Sequence, residues 1–127
     1  MEIIKIAATQ DTPNIILDAE NNLFEISGKS LPEDVNSFYS PVIDWLNKYS
    51  ENPNPKTILD LKLDYLNTAS SKFLFTIFLK LEKLKESGHE VIIRWYYADD
   101  DEDMQDVGEE FADVINIPFE HIPYPID

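Results

Sequence analysis

From Leu59 to Tyr65 the sequence alternates without a break: Leu59, Leu61, Leu63 and Tyr65 are apolar or aromatic, and Asp60, Lys62 and Asp64 between them are charged. Successive side chains of a strand point to opposite faces, so a period of two makes a strand with one buried face and one wet face. The period then changes. Leu74, Ile77, Phe78, Leu81 and Leu84 recur at helical spacing, which predicts a helix from about Ser70 to Ser87 with Gly88 as its stop. A half-buried strand that runs almost directly into an amphipathic helix requires the helix to cover the sheet, and this places the chain among α/β folds.

The flanking sequence extends that pattern. Ile3–Ala7, Asn14–Ala19 and Leu23–Ser27 are short apolar runs separated by Thr12-Pro13 and by Glu20-Asn21-Asn22, and they predict an N-terminal antiparallel meander. Val35, Phe38, Tyr39, Val42, Leu46 and Tyr49 form one stripe of a first helix. Pro41 lies inside that stripe without an N–H to donate, so the regular helix either begins near Ser40 with Pro41 in its first position or kinks there. Asn52–Lys56, with Pro53 and Pro55, is a linker to the central strand. Val91–Tyr97 is β-branched and aromatic, hence a further strand. The acidic run Asp99–Asp103 opens a third helix expected to turn Met104, Val107, Phe111 and Val114 inward, and Phe119–Ile122, between Pro118 and Pro123, predicts an edge strand. The predicted order is β-β-β-α-β-α-β-α-β, a mixed sheet carrying helices in a single domain over residues 1–127, similar to STAS and anti-sigma-factor-antagonist domains.

Charge narrows the partners. With 25 acidic and 10 basic residues the formal net charge is -15, which repels phosphate backbones and anionic lipid, so neither nucleic acid nor membrane is expected. The same charge serves solubility or steers the chain toward a basic protein surface. There is no Cys, which removes disulfides and thiolate metal sites and suits a reducing compartment. Met1-Glu2-Ile3-Ile4-Lys5 lacks the basic and apolar regions of a secretory signal, and a cytoplasmic protein is expected.

Tyr65-Leu66-Asn67-Thr68-Ala69-Ser70-Ser71-Lys72 joins strand to helix where several backbone N–H groups have no intrahelical partner. Asn67, Thr68 and Ser70 are all good N-cap residues, and one of them must cap the helix. A phosphate on Thr68 would meet the positive end of the helix dipole, so capping and switching are compatible here. At about 100° per residue Phe75 and Leu79 point away from the core stripe and share a line with Thr68 and Lys72. That line is either covered by another part of the domain or docks a partner.

The segment from Tyr65 to Lys72 resembles the phosphoacceptor motif of the SiaC family of bacterial regulatory phosphoproteins. Pro41–Leu46, Arg94–Tyr97, Asp100–Met104 and Gly108–Phe111 also resemble family patterns, so the similarity spans nearly the whole chain. Ala69 departs from it, standing where Ser is commoner. The resemblance implies that Thr68 is phosphorylated by a cognate kinase and dephosphorylated by a PP2C-type phosphatase. It implies further that the unphosphorylated form binds and activates a diguanylate cyclase, and so controls cyclic-di-GMP synthesis. Asn67, Ser70, Ser71, Lys72, Phe75 and Leu79 are then the expected partner-binding residues.

Other constellations are weaker. Asp99, Asp101, Asp103 and Glu110 match four positions of an EF-hand loop, but Met104 stands where the turn needs Gly and Asp106 where an apolar residue is usual, so no metal is expected. His89 and His121 have no spacing that suggests a metal site or a triad. Gly28, Gly88 and Gly108 are too scattered to build a phosphate loop, and neither a cofactor nor catalysis is expected. The rival expectations are a constitutive scaffold or homodimer using the same apolar line, and a partner-switching protein of the anti-sigma-factor-antagonist type.

Overall fold

The structure is a computed structural model and describes residues 1–126. It contains β1 (Ile4–Ile6), β2 (Asn14–Asp18), β3 (Leu23–Ser30), α1 (Val35–Tyr49), β4 (Lys56–Leu66), α2 (Thr68–Glu86), β5 (Glu90–Ala98), α3 (Glu102–Val114) and β6 (Phe119–Tyr124), the order the sequence predicts. The strands form one sheet in the order β1-β2-β3-β4-β5-β6. β1, β2 and β3 pair antiparallel, while β3–β4, β4–β5 and β5–β6 pair parallel, each parallel pair joined by a helix.

The register explains why alternation is so clean. Phe24, Leu59, Ile93 and Phe119 form one row across four strands, and this row faces the helices. Phe24 meets Trp45 and Tyr49 of α1, Phe119 meets Phe78 of α2, and Trp95, two residues beyond Ile93, meets Phe111 of α3. All three helices therefore cover one face. The neighbouring row, Glu25, Asp60, Arg94 and Glu120, lies on the other face, where Arg94 grips Asp60 through Nε at 2.7 Å and Nη2 at 3.2 Å. That hydrogen-bonded carboxylate raises the pKa of Arg94 further. A parallel sheet is usually buried on both faces; here one side stays open, so its strands keep the two-residue period of a half-buried surface.

β3 and α3 differ in detail from the sequence expectation, and the start of α1 resolves a choice the sequence leaves open. α1 runs from Val35 through Pro41 to Tyr49, capped by Asp34, whose carboxylate accepts from Ser37 N at 3.1 Å and Ser37 Oγ at 2.9 Å. These bonds hold the Asp34 carboxyl below its usual range. β3 continues past Ser27 to Ser30 through a register shift at Gly28/Lys29, with Gly28 at φ +104°, a conformation other residues rarely adopt. Val114 is not inward; it is 66% exposed, and the buried residues of α3 are Met104, Gly108 and Phe111.

Candidate functional site: the start of α2

β4 ends at Leu66, and the chain turns into α2 through a single residue, Asn67, held extended at φ -83° and ψ 171°. Its Oδ1 accepts from Ser70 N at 2.8 Å and its backbone oxygen from Ser71 N at 2.9 Å, so of the three candidate caps Asn67 does the capping. Thr68 is consequently the first helical residue, and it is exposed.

The inner side of this turn is tied down. Ser70 is fully buried; its Oγ donates to Ser30 O at 3.0 Å and accepts from Ser30 Oγ at 2.8 Å. Ser30 Oγ also lies 2.6 Å from Tyr39 Oη, and Asn67 N donates to Ser30 O at 3.2 Å. The last residue of β3, the first turn of α2 and a tyrosine of α1 thus share one buried hydroxyl chain, with the Tyr39 ring stacked on Phe73 at 5.5 Å. Burial pushes the Tyr39 phenol pKa up, and its bonds to Ser30 and Ser70 offset part of that. This corrects one expectation: Ser70 cannot touch a docked partner, because its hydroxyl is spent inside the domain.

The outer side is open. Lys72 is exposed, Ser71 and Phe75 are half-buried, and Leu79 is 41% exposed. A hollow of about 270 Å³ is lined by Leu66, Asn67, Thr68, Ser71, Lys72 and Val107. A second, of about 290 Å³, is lined by Ser71, Phe75, Val107, Glu110, Phe111 and Val114. Because they share Ser71 and Val107, the two make one furrow between α2 and α3 with Thr68 at one end. Of the expected site residues, Asn67, Thr68, Ser71, Lys72 and Phe75 line this furrow and Leu79 does not; the α3 wall, where Val107 and Val114 supply apolar surface and Glu110 an acid, was not anticipated from the sequence. A larger hollow of about 830 Å³ lies between the N-terminal residues and α1, near Trp45, and contains none of the junction residues.

Among the described residues no group of three or more His, Asp or Glu is placed to hold a metal ion, and no helix is long and apolar enough to cross a membrane. Asp101, from the former EF-hand pattern, caps α3 instead, accepting from Met104 N at 3.0 Å.

A two-layer mixed sheet with an exposed threonine at the first position of its central helix matches a known class of protein. The sequence profile of the SiaC family of regulatory phosphoproteins covers residues 6–124, and the chain belongs to that family. It is similar to the crystal structure of apo-SiaC from Pseudomonas aeruginosa, with a TM-score of 0.88 and 33% identity over 96% of this chain and 99% of that one. It is also similar to a chain in the crystal structure of the diguanylate cyclase SiaD in complex with its activator SiaC from the same organism, with a TM-score of 0.89 and 32% identity over 95% of this chain and 99% of that one. An uncharacterised protein of Pseudomonas aeruginosa strain UCBPP-PA14 is 34% identical over 119 residues, 94% of either chain.

Proposed function

We propose that this chain acts as a single-domain, non-catalytic switch in the cytoplasm: unphosphorylated, it docks and activates a diguanylate cyclase through the α2–α3 furrow, and phosphorylation of Thr68 releases it. The carrying observation is the division of labour in one helical turn. Thr68 is exposed at the mouth of an apolar furrow, while Ser70, two residues on, is sealed in the core. A kinase therefore finds Thr68 without unfolding the helix, and a PP2C-type phosphatase finds its phosphate equally. Phe75, Leu79, Val107 and Val114 supply the apolar contact, with Asn67, Ser71 and Lys72 at its rim. The crystal structure of SiaD with its activator SiaC supports a cyclase as the effector.

Phosphorylation adds about 1.5–2 negative charges to a surface that binding must desolvate. A strongly hydrated dianion at the edge of an apolar contact opposes docking, and the acidic residues of α3 add repulsion. Titration calorimetry with the purified cyclase tests this. Thr68→Glu should remain folded yet lose roughly tenfold or more in affinity, about 1.4 kcal/mol or above, and Phe75→Asp should lose at least as much. A folded Thr68→Glu chain with unchanged affinity, or a stable homodimer in light scattering that Phe75→Asp breaks, would favour a constitutive scaffold instead.

A further inference from the structure

Lys72 follows Thr68 by four residues on α2, and the two side chains line the same hollow. We propose that Lys72 is the counter-ion of phosphorylated Thr68, and that the resulting pair covers the Thr68 end of the furrow; this rests on the phosphoswitch proposed above and names the residue that holds its phosphate.

Spacing is the first argument. Residues four apart on a helix are neighbours, and an anion N-terminal to a cation is the better of the two orientations. The second is that no other described residue uses this ammonium. Among the described residues the ion pairs are Lys56–Glu90, Lys62–Glu25 and Arg94–Asp60, so Lys72 has no carboxylate within bonding range. Of the other lysines of α2, Lys80 Nζ donates to Asn47 Oδ1 at 2.8 Å and Lys85 Nζ to the backbone oxygen of Asn116 at 3.1 Å, while Lys83, like Lys72, forms no ion pair among the described residues.

Position is the third. Lys83 and Lys85 sit in the last turn, where a cation favours the helix dipole, whereas Lys72 sits near the opposite end, where it does not. The first turn of α2 also contains no acid, although α3 begins with Glu102 and Asp103. An unpartnered surface lysine is ordinary, but this one lies where unmodified α2 gains nothing from it and a phosphate on Thr68 gains most. Once paired, the two charges lie over Leu66 and Val107. A docking effector would then have to separate them as well as desolvate them.

The titration of the phosphate reports on the pair directly. The full chain would be prepared with phosphothreonine at position 68, installed during synthesis or by ligation, and its phosphorus resonance followed against pH. The second ionisation of a phosphate monoester ordinarily falls at about 6, and a nearby ammonium lowers it by favouring the dianion. Lys72→Met should raise the midpoint by roughly 0.2–0.4 unit at low salt, Lys72→Arg should restore most of the difference, and molar NaCl should shrink it. Equal midpoints in the parent and Lys72→Met chains overturn the proposal. An unmoved phosphate midpoint together with a loss of cyclase affinity in the unphosphorylated Lys72→Met chain would likewise overturn it, leaving Lys72 with its place at the docking rim and no part in holding the phosphate. If the phosphorylated parent keeps full affinity for the cyclase, the switch fails, while the titration still decides what Lys72 does.

Discussion

Gly108 lies against the indole of Trp95, and a Cβ there would come within 2.5 Å of Cδ1 and 2.6 Å of Nε1. The indole cannot swing aside cheaply, because Nε1 donates to Met104 O at 2.9 Å and the ring packs on Phe111 at 5.8 Å between centroids. Replacing a helical glycine by alanine normally gains up to about 1 kcal/mol. At this position overpacking should outweigh that gain, and Gly108→Ala should lower stability by about 1–3 kcal/mol in urea denaturation; a neutral or stabilised variant would show that α3 can lift off β5. Nothing in the sequence marks Gly108 as a packing residue, since its neighbour Trp95 belongs to another element. Ser70 was opaque for the same reason, because its partners Ser30 and Tyr39 are far away along the chain. The need for a cap in this turn was legible because capping is local, but the sequence leaves Asn67, Thr68 and Ser70 equally open, and the structure gives the cap to Asn67. Val114 was within reach of arithmetic: counting Gly108 and Ile115 with Met104 and Phe111 centres the α3 stripe so that Val107 and Val114 fall to one side of it, at about 100° per residue.

At the scale of elements, α1 shows what pattern alone leaves open. Its apolar stripe passes through Pro41, and the sequence permits either a late start or a kink; the helix in fact spans Val35–Tyr49 with Pro41 inside. Asp34 settles the start, because its cap on Ser37 begins the helix at Val35, more than one and a half turns before the proline. Pro41 and the preceding Ser37 and Ser40 are exposed, so the carbonyl of Ser37 that loses its donor can turn to water, and Ser40 Oγ donates to Asn36 O at 2.5 Å. Pro41→Ala should restore the missing bond and stabilise the domain by about 1–2 kcal/mol, the helix gain reduced by the greater freedom of the unfolded chain. A thermal melt checks it, and an unchanged midpoint would mean that α1 accommodates the ring without cost. The apolar pattern of β3 stops at Ser27, before Gly28, whereas pairing of Lys29 with Tyr65 and Ser30 with Leu66 carries the strand onward. That extension brings Ser30 beneath the first turn of α2, so the anchoring of the site depended on a long-range pairing.

For the molecule as a whole, charge is the least balanced quantity. A net charge of -15 stands against three ion pairs among the described residues, none of them fully buried. Exposed pairs contribute about 0–1 kcal/mol each, while unscreened like charges oppose compaction throughout the chain. The repulsion concentrates on α3, which carries Glu102, Asp103, Asp106, Glu109, Glu110 and Asp113 and no basic residue. Its first-turn acids suit the helix dipole, but Glu102 and Asp106, Asp106 and Glu110, and Glu109 and Asp113 are like charges four apart, each costing roughly 0.2–0.5 kcal/mol. Raising NaCl from about 0.01 to 0.5 M shortens the screening distance several-fold, so the melting temperature should rise by roughly 3–5 °C, near 1 kcal/mol for a domain of this size. Hydrogen exchange should slow more on α3 than on α1, whose cap and aromatic contacts do not depend on these charges. A melting temperature that falls with salt would mean that the few ion pairs, Arg94–Asp60 above all, outweigh the repulsion; a rise without preferential protection of α3 would spread the repulsion evenly over the surface. The expected pattern makes α3 the wall of the furrow whose stability responds most to a basic partner.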